Sequence, residues 1–408
     1  MSLIKPVTFF SYQIVTPPAI TGDFIYSAIL YNDTNLYVGG KFNAIFGTSL
    51  SSIGLFNPLG NPEVVNTTFT PRVSVTNFLD IPVQGIAAMA VSAGVGSDYN
   101  LIVGGYYYNI DELPNTSHLT VLSSSDGGTG VFAKNNIFVG LPDQYVTDII
   151  VDDKIYISGF FRNIGAVSRK GIAAYNKDGT LNTSFIHNVR SINDVVIGIK
   201  KDPSISNRIY AYGNFRYISV SSSSNTSRRG IAKLSTTDNN LLESFNANTV
   251  LGIGAIVNDI DIDSTTVFNG RNYDVLVANS GSNTLAENRL VRLRSDTGAK
   301  VYSYANLIYT SYGSTNVNFQ KVLCSGNKIY VFIYESFRGI AGRLYRINNT
   351  TTPSIDTTFG TSGYVTVDNI IRKIIVDDTY IYIFGQFSEV RGSSRNLYAK
   401  LDLNGTVA

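Results

Sequence analysis

Few residues of this sequence can carry redox, metal or nucleophilic chemistry: its 408 residues include one cysteine, two histidines and two methionines, and no tryptophan. The single cysteine, Cys324, excludes an intrachain disulfide, and its apolar strand context favours a small buried side chain over a reactive thiol. The patterns CxxC, HExxH, GxSxG and the P-loop are all missing. The sequence therefore contains no motif for a cofactor, for a metal or for these classes of catalysis.

Long apolar runs and a strong excess of charge are also missing. No window reaches the roughly 18 apolar residues that a membrane-spanning helix needs, so no membrane insertion is expected. The start, MSLIKPVTFFSY, lacks the continuous apolar region and the small-residue cleavage site of a Sec signal, so we expect no such signal. The formal net charge is only +2, and nucleic-acid-binding proteins are usually more basic. We therefore expect no nucleic-acid partner.

Glycine and aromatic residues are abundant instead, with 36 Gly, 26 Tyr and 22 Phe. Many of the aromatic residues stand in alternating runs, which favour β-strands, and no sustained 3.6-residue amphipathic pattern indicates helices. A strand that runs into a small-residue pair and then an aromatic residue is typical of this chain. The seven copies of this pattern, some of them incomplete, are LYVGGKF, LIVGGYY, IYISGFF, IYAYGNF, DVLVANS, IYVFIYE and IYIFGQF.

One place in the pattern, which we call the repeat position, sets the period of the chain. It recurs at steps of 65, 54, 54, 66, 54 and 52 residues, and a period near 50 residues is typical of a propeller, a solenoid or another array. Its occupants are Gly40, Gly105, Gly159, Gly213, Asn279, Ile333 and Gly385. The copies span nearly the whole chain without a linker, so we predict one domain over residues 1–408.

The third copy, residues 146–185, shows the repeated unit most clearly. The strand VTDIIV, a tight Asp152-Asp153 turn and the strand IYISGFF come first. A polar loop then leads to the strand GIAAYN, a Lys177-Asp178-Gly179 turn and the short segment TLNTSF. Asp-Gly between two alternating runs is a strong hairpin signal, so the unit reads as a meander of three strands and a shorter fourth. Short antiparallel sheets of this kind pack face to face as the blades of a propeller.

These residues resemble a known family, the delta-sixty type of β-propeller repeat, whose pattern is GGxF, a polar loop and then GIAxLNxDGxLDxSF. The third copy matches at Gly159, Phe161, residues 171–173, Asp178-Gly179 and residues 181–185. The fifth and sixth copies lack the glycine, and the second and fifth lack a recognisable DxSF end, which predicts distorted blades or modified surfaces there. The resemblance implies a propeller of secreted, cell-surface or viral structural proteins, and it implies no shared catalytic chemistry.

Taken together, we predict an all-β fold: a seven-bladed β-propeller of four-stranded antiparallel blades. The last copy stops after its third strand, and Pro6-Val7-Thr8-Phe9-Phe10 resembles the missing piece. We therefore predict that an N-terminal strand of about residues 5–12 closes the ring, which removes an exposed sheet edge. The repeat glycines are expected where strands converge with little room for side chains, or where the chain bulges sharply.

Titratable groups that could form a catalytic or metal site are scattered. His118 and His187 stand in unrelated contexts, so we interpret both as structural or solvated. The acidic candidates are Asp152-Asp153, Asp377-Asp378 and the run Asp259, Asp261 and Asp263. The first two pairs occupy turns, where aspartate binds its own backbone. The run reads as one polar strand face, and it lacks the spacing and the glycine of an EF-hand. We predict no catalytic residue, no metal and no cofactor.

Basic and aromatic residues supply the remaining site candidates. Arginines that precede the third strand recur at similar places in five copies and are expected at one end of the ring: Arg169, Arg229, Arg289, Arg338 and Arg395. Each guanidinium either caps loop carbonyls and neighbouring blades or belongs to a rim that binds anions or a partner. Tyrosines that we interpret as exposed could stack on sugars or dock a partner. They are Tyr106, Tyr107, Tyr108 and Tyr217.

Together these features favour a non-catalytic structural or interaction propeller. The leading hypothesis is a virion subunit, of a bacteriophage or another virus, that docks on the other structural proteins of a larger assembly. The absence of an export signal, the near-absence of Cys and Met, and the heavy use of Asn, Ser, Thr and Tyr motivate it. A cell-surface or extracellular adhesin that binds glycans is the alternative, and a glycan-active enzyme is the second alternative. The likeliest docking segments are those that break the period, at residues 56–86, 106–119 and 219–227.

Overall fold

The computed structural model describes residues 20–31, 34–60, 63–75, 84–93, 99–112, 116–124, 133–134, 136–191, 193–219, 226–237, 244–264, 273–280, 285–335 and 340–408. In these ranges the chain is all-β apart from three short helices: α1 (Asn248–Leu251), a 3₁₀ turn (Ala286–Asn288) and α2 (Ala305–Tyr312). None of these helices is long and apolar enough to cross a membrane. The predicted all-β class is therefore confirmed. The predicted closing strand at about residues 5–12 and Arg338 lie outside the described residues.

The strands follow one another as antiparallel groups, and we call each group a unit. The strands of the first four units are β1 (Ile20–Tyr31), β2 (Asn35–Ile45), β3 (Thr48–Ser49), β4 (Ile53–Asn57), β5 (Val64–Val65), β6 (Val73–Ser74), β7 (Gly85–Ala93), β8 (Tyr99–Tyr106), β9 (Asn109–Ile110), β10 (Leu119–Ser124), β11 (Ala133–Lys134), β12 (Val146–Val151), β13 (Ile155–Gly159), β14 (Asn163–Ile164), β15 (Val167–Ser168), β16 (Ile172–Tyr175), β17 (Asn188–Val189), β18 (Val195–Lys201), β19 (Arg208–Asn214), β20 (Tyr217–Ser219), β21 (Thr226–Ser227) and β22 (Ile231–Ser235).

The strands of the remaining units are β23 (Val257–Asp263), β24 (Asp274–Asn279), β25 (Leu290–Leu293), β26 (Lys300–Ser303), β27 (Asn318–Ser325), β28 (Lys328–Glu335), β29 (Ile340–Asn348), β30 (Ser354–Ile355), β31 (Tyr364–Val367), β32 (Ile370–Val376), β33 (Tyr380–Gln386), β34 (Glu389–Val390), β35 (Ser393–Ser394) and β36 (Tyr398–Asp402). Each repeat position lies in the second long strand of its unit. The second and fifth units show the predicted four-stranded meander directly, in the orders β7-β8-β10-β11 and β23-β24-β25-β26.

A β-bulge recurs at one place in every unit. In each pair of first and second strands, the register shifts by one residue just after the residue that faces the repeat position. The bulged residues therefore have no partner in the ladder, and a bulge of this kind re-aims a side chain. They are Tyr26, Ala87, Thr147, Ile197, Asn258, Gln320 and Arg372.

The bulge also explains the repeat glycines. A Cβ atom on Gly159 would lie 2.2 Å from the carbonyl oxygen of Tyr145, and one on Gly385 would lie 2.0 Å from that of Ile370. Real Cβ atoms do not approach backbone so closely, so any larger residue must displace the neighbouring strand. The crowding that was expected from the convergence of all blades thus comes from the bulged first strand of the same unit.

Successive units pack side by side through their first strands, in the order β1, β7, β12, β18, β23, β27 and β32, and β1 also contacts β32. Between the first and the last unit, the side chain of Asn396 donates a hydrogen bond to the Ile20 carbonyl (2.6 Å). The rings of Phe56 and Tyr398 meet edge to face there, with their centroids 5.3 Å apart. Antiparallel sheets that follow one another around a shared cavity are the arrangement of a β-propeller.

Candidate functional site

A cavity of about 350 Å³ lies between the first strands of the units. Each of the seven first strands contributes at least one lining residue, for example Tyr26, Met89, Thr147, Lys200, Asp259, Lys321 and Lys373. Five of the seven bulged residues line it: Tyr26, Ala87, Thr147, Ile197 and Arg372. The repeated bulge therefore directs a ring of side chains into this central cavity.

Charges of opposite sign occupy different sides of the central cavity. The residue after each bulge faces the residue before the repeat position, so these residues form one level of the ring. In chain order this level reads Ser27, Ala88, Asp148, Gly198, Asp259, Lys321 and Lys373. The third and fifth units thus supply carboxylates, and the sixth and seventh supply ammonium groups.

The carboxylates at the cavity join neighbouring units. Asp148 accepts hydrogen bonds from the N–H groups of Ile149 and of Ile199 in the next unit, both at 2.9 Å. Asp259 accepts hydrogen bonds from the Tyr212 hydroxyl in the preceding unit (3.1 Å) and from the Val322 N–H in the following one (3.2 Å). Charged acceptors make stronger hydrogen bonds than neutral ones, so these carboxylates fix the positions of adjacent first strands.

Asp261, which lies two residues after Asp259 in β23, also joins neighbouring units. It accepts hydrogen bonds from the Cys324 N–H of the next unit (2.7 Å) and from the Lys200 ammonium of the preceding one (3.1 Å). The charge of Asp261 raises the pKa of Lys200, which therefore stays protonated at neutral pH. The polar strand face predicted from the run of aspartates is thus present, and each of its carboxylates is bound to protein groups.

Asp263, the last of the run, belongs to a fully buried network away from the cavity. Its carboxylate accepts hydrogen bonds from the guanidinium of Arg292 (2.7 Å) and from the amide of Asn349 (2.6 Å) in the next unit. Arg292 is itself 0% exposed. A buried charge is tolerated when it is paired and hydrogen-bonded, as it is here. Within the described ranges, no group of three or more His, Cys, Asp or Glu side chains has the arrangement of a metal site.

The turn aspartates also have partners. Asp152 forms an ion pair with Lys201 of the next unit, with 2.6 Å between oxygen and nitrogen. Asp377 accepts hydrogen bonds from the N–H groups of Thr379 and Tyr380 and from the hydroxyl of Tyr382. The two N–H contacts of Asp377 are of the kind that aspartate makes with the backbone in turns.

The described arginines of the predicted rim donate to loop carbonyls. Arg169 is only 7% exposed and binds the carbonyl oxygens of Ser168 (2.9 Å) and Thr183 (3.1 Å). Arg229 donates to the Asn248 carbonyl at 3.0 Å, Arg289 to those of Thr315 and Val317, and Arg395 to that of Ser394. Burial lowers the pKa of Arg169. These hydrogen bonds fix the positions of the four guanidinium groups relative to the loops.

Of the four tyrosines that we predicted to be exposed, Tyr107 is buried, so that prediction was wrong for this residue. It is 1% exposed, and its hydroxyl donates to the Val103 carbonyl at 3.1 Å. The reason is its place two residues after Gly105, where the other copies carry the buried aromatic residues Phe161, Phe215 and Phe387. The repeat itself therefore contained the signal that should have excluded Tyr107.

The other three tyrosines follow the repeat positions of their units closely, and we call the surface around them the glycine-side rim. Tyr108 is 48% exposed and Tyr217 is 37% exposed. The half-buried ring of Tyr106 contacts those of Tyr108 and His118, with centroids 6.4 and 5.2 Å apart. Tyr217 also carries the guanidinium of Arg190 over its ring at 5.4 Å. The rim therefore presents aromatic and basic side chains together.

Burial shifts the pKa values of the two histidines and of the cysteine in the direction that favours their neutral forms. His187 is buried with its Nε2 3.1 Å from the Ser235 carbonyl, and burial lowers its pKa to about 4. Burial also lowers the pKa of His118. Burial raises the pKa of Cys324 well above its usual range, which keeps the thiol protonated. These directions agree with the structural interpretation of all three residues.

The cationic side of the cavity was missed at the level of the sequence. Lys321, Arg372 and Lys373 stand in first strands whose apolar neighbours carried the strand signal, and they form no motif. Aligning the copies on the bulge rather than on the glycine would have placed them at one level. Nothing in the sequence alone marks the bulge, because its residues range from alanine to arginine.

No protein-family model and no curated protein matches the chain. Among solved structures, it is similar to an ancestral GH74 enzyme (TM-score 0.49, 11% identity, 95% of this chain and 48% of that chain covered) and a puromycin hydrolase (0.48, 10%, 97% and 53%). It is also similar to the WD40 beta propeller domain of Doa1 (0.30, 11%, 78% and 93%). The chain spans about half the length of the first two. At these values, nothing about the activity of those proteins extends to this chain.

Proposed function

We propose that this chain is a seven-bladed β-propeller that binds other proteins through its glycine-side rim and catalyses no reaction. Seven first strands in succession, with contacts between β1 and β32, support a closed ring. The carboxylates of Asp148, Asp259 and Asp261 support a structural role, because each one accepts a hydrogen bond from a neighbouring unit. Closure by an N-terminal strand at about residues 5–12 is part of the proposal.

The observation that carries the docking role is the meeting of two period-breaking segments. Strand β6, from the segment at residues 56–86, pairs with β9, from the segment at residues 106–119. The carboxylate of Asp111 then accepts the N–H of Arg72 at 2.7 Å, and the Arg72 carbonyl accepts the N–H of Asp111 at 2.7 Å. The two insertions therefore form one ordered feature on the rim, next to the exposed Tyr108.

A second part of the rim has matching chemistry. Arg190, Arg216 and Tyr217 are all exposed in the fourth unit, and Arg190 lies over the ring of Tyr217. Tyrosine and arginine are enriched at the energetically important positions of protein interfaces. The third predicted docking segment, residues 219–227, begins at the end of the strand that holds Tyr217, and most of it lies outside the described residues.

We place this interaction in a virion, where the chain would be a structural subunit. Particle proteins must survive outside the cell, and the near-absence of easily oxidised Cys and Met residues suits that demand. The abundance of polar uncharged and tyrosine side chains suits it as well. A cell-surface adhesin that binds glycans is the competing assignment, and its test is included in the experiment below.

The experiment follows a tagged copy of the chain through purification of particles from the organism that encodes it. We expect stoichiometric co-purification, and we expect the double variant Tyr108→Ala and Tyr217→Ala, or a shortened segment 56–86, to reduce incorporation. The matched control is Ile205→Ala, which removes a 43% exposed side chain from a turn at the opposite ends of the strands. The thermal midpoint of each variant should stay unchanged, so that lost incorporation reports docking and not folding.

Three outcomes would count against the proposal. Absence from particles together with specific binding on a glycan array would favour the adhesin. Equal incorporation of the double variant and the control would exclude the rim as the docking surface. Glycan cleavage that disappears when Asp152, Asp261 or Asp377 is changed to Asn would identify an enzyme.

A further inference from the structure

One wall of the central cavity carries two cations, Lys373 and Arg372, that form no ion pair among the described residues. Lys373 has Lys321 and Ser27 as its neighbours at its level of the ring, and both of these residues line the cavity. Within the described ranges, no carboxylate lies within ion-pair distance of the Lys373 ammonium. The neighbouring ammonium of Lys321 has only a long contact with Asp259, at 3.9 Å.

The adjacent guanidinium adds to this charge. Arg372 is the bulged residue of the seventh unit and lines the same cavity. Its buried Nε atom has no hydrogen-bond partner among the described residues, and the guanidinium lies over the ring of Tyr26 at 6.0 Å. A buried donor without a partner carries a desolvation cost that a suitable ligand would remove.

Among the described residues, the carboxylates of the opposite wall form no ion pair with Lys373 or Arg372. Asp148 and Asp259 line the cavity, and their oxygens accept hydrogen bonds from the adjacent Ile149 N–H and from N–H and hydroxyl groups of neighbouring units. Lys200 is likewise bound to Asp261. Burial lowers the pKa of Lys373, the charges of Lys200 and Lys321 lower it further, and the charges of Asp148 and Asp259 oppose this. An anion beside Lys373 would favour the charged form of this side chain and offset the effect of its burial.

We propose that the wall formed by Lys373, Arg372 and Lys321 binds a small oxyanion, either phosphate or a carboxylate. The cavity of about 350 Å³ holds roughly ten water molecules at ~30 Å³ each, which is ample for such a group. Lys373 also lines an adjoining cavity of about 340 Å³. A guanidinium next to two ammonium groups provides both a forked donor and point charges for the anion.

The test is calorimetric titration of the full-length chain with inorganic phosphate, in sodium chloride of matched ionic strength at pH 7. We expect binding of one phosphate per chain, and at least about tenfold weaker binding by the variant Lys373→Gln. The matched control is Lys177→Gln, because Lys177 is an exposed turn residue that does not line the cavity. A parallel titration with acetate distinguishes a phosphate ligand from a carboxylate ligand.

Thermal unfolding gives a second measurement. Without phosphate, Lys373→Gln should be at least as stable as the wild type, because the substitution removes an uncompensated charge. Phosphate should raise the thermal midpoint of the wild type and of Lys177→Gln, but not that of Lys373→Gln. The inference is overturned if phosphate and chloride act alike on the wild type, or if Lys373→Gln binds phosphate as the wild type does. It is also overturned if Lys373→Gln fails to fold, since the ammonium would then serve the fold.

Discussion

The third and sixth units solve the same packing problem in opposite ways. In the third unit, Gly159 lies against the bulged first strand, and its N–H donates to the Gly171 carbonyl at 3.0 Å. The chain then leaves the sheet, and the ring of Phe161 becomes fully buried. Here the missing side chain allows the two strands to approach, and the following aromatic residue fills the space between units.

In the sixth unit, Ile333 occupies the repeat position and is only 2% exposed. The bulge is retained between Phe319 and Lys321, but β28 continues to pair with β29 beyond Ile333. Ile333 shares a buried cluster with Tyr304 and with Ile308 of α2, the helix that precedes this unit. The comparison teaches that the bulge is the constant feature of the repeat, whereas the residue at the repeat position varies.

The largest expected effect on stability comes from shortening the side chain at the repeat position of the sixth unit. The variant Ile333→Ala should lower the free energy of unfolding by about 2–5 kcal/mol, because it leaves a cavity in a packed cluster. Urea titration measures this loss, with Ile253→Ala as the control at a 56% exposed position, where a change below about 0.5 kcal/mol is expected. A loss for Ile333→Ala as small as that of the control would mean that the cluster does not depend on this side chain.

Adding a side chain at the repeat position of the third unit should lower the free energy of unfolding by somewhat less. The variant Gly159→Val is expected to lower the free energy of unfolding by about 2–4 kcal/mol, through overpacking and backbone strain. Gly159→Ala should already show part of the loss, since the clash with the Tyr145 carbonyl begins at Cβ, 2.2 Å away. Near-neutral values for both variants in denaturant titration would show that crowding is not the reason for this glycine.

The sequence predicted the fold well because the pattern that builds the fold is local. Alternating apolar strands, the Asp152-Asp153 turn and the Lys177-Asp178-Gly179 turn specify each meander within about 40 residues. The prediction that the sixth copy differs locally was confirmed by its extended hairpin. The burial of Phe161 and its counterparts could be predicted from the same pattern. The error at Tyr107 arose because three consecutive tyrosines were interpreted together.

The candidate sites were harder to predict because they depend on contacts between units. Asp148 and Ile199 are 51 residues apart, and Asp259 and Val322 are 63 apart, so no local pattern shows that they meet. Lys373 gains its significance only from its neighbours around the cavity. The rim arginines, by contrast, recur visibly in the sequence, and their hydrogen bonds to carbonyls appear only when the loops are folded.

At its bulge, the third unit also forms a hydrogen bond with the fourth unit. The hydroxyl of Thr147, the bulged residue of the third unit, donates to the Val196 carbonyl in the next unit at 2.8 Å. Changing Thr147 to Val keeps the shape and removes the donor, so we expect a loss of about 1 kcal/mol. Thr147→Ser keeps the hydroxyl and should lose less in the same urea titration. Equal stability of Thr147→Val and the wild type would show that this bond does not hold the two units together.

The smallest effect should appear as a pH dependence at Asp148, which occupies the place that Lys321 takes in the sixth unit. Burial raises the pKa of Asp148, although the N–H of Ile199 and the charge of Lys373 oppose this. A carboxyl whose pKa is higher in the folded chain binds more protons there than in the unfolded chain. The wild type therefore loses stability as the pH rises from the ordinary aspartate value of 3.8 through the raised pKa.

The variant Asp148→Asn cannot titrate at this position, so other groups cancel in the difference between the two proteins. We expect the wild type to gain stability relative to Asp148→Asn as the pH falls from 7 towards 4. A relative loss over this range would mean that the hydrogen bonds to the charged form outweigh its burial.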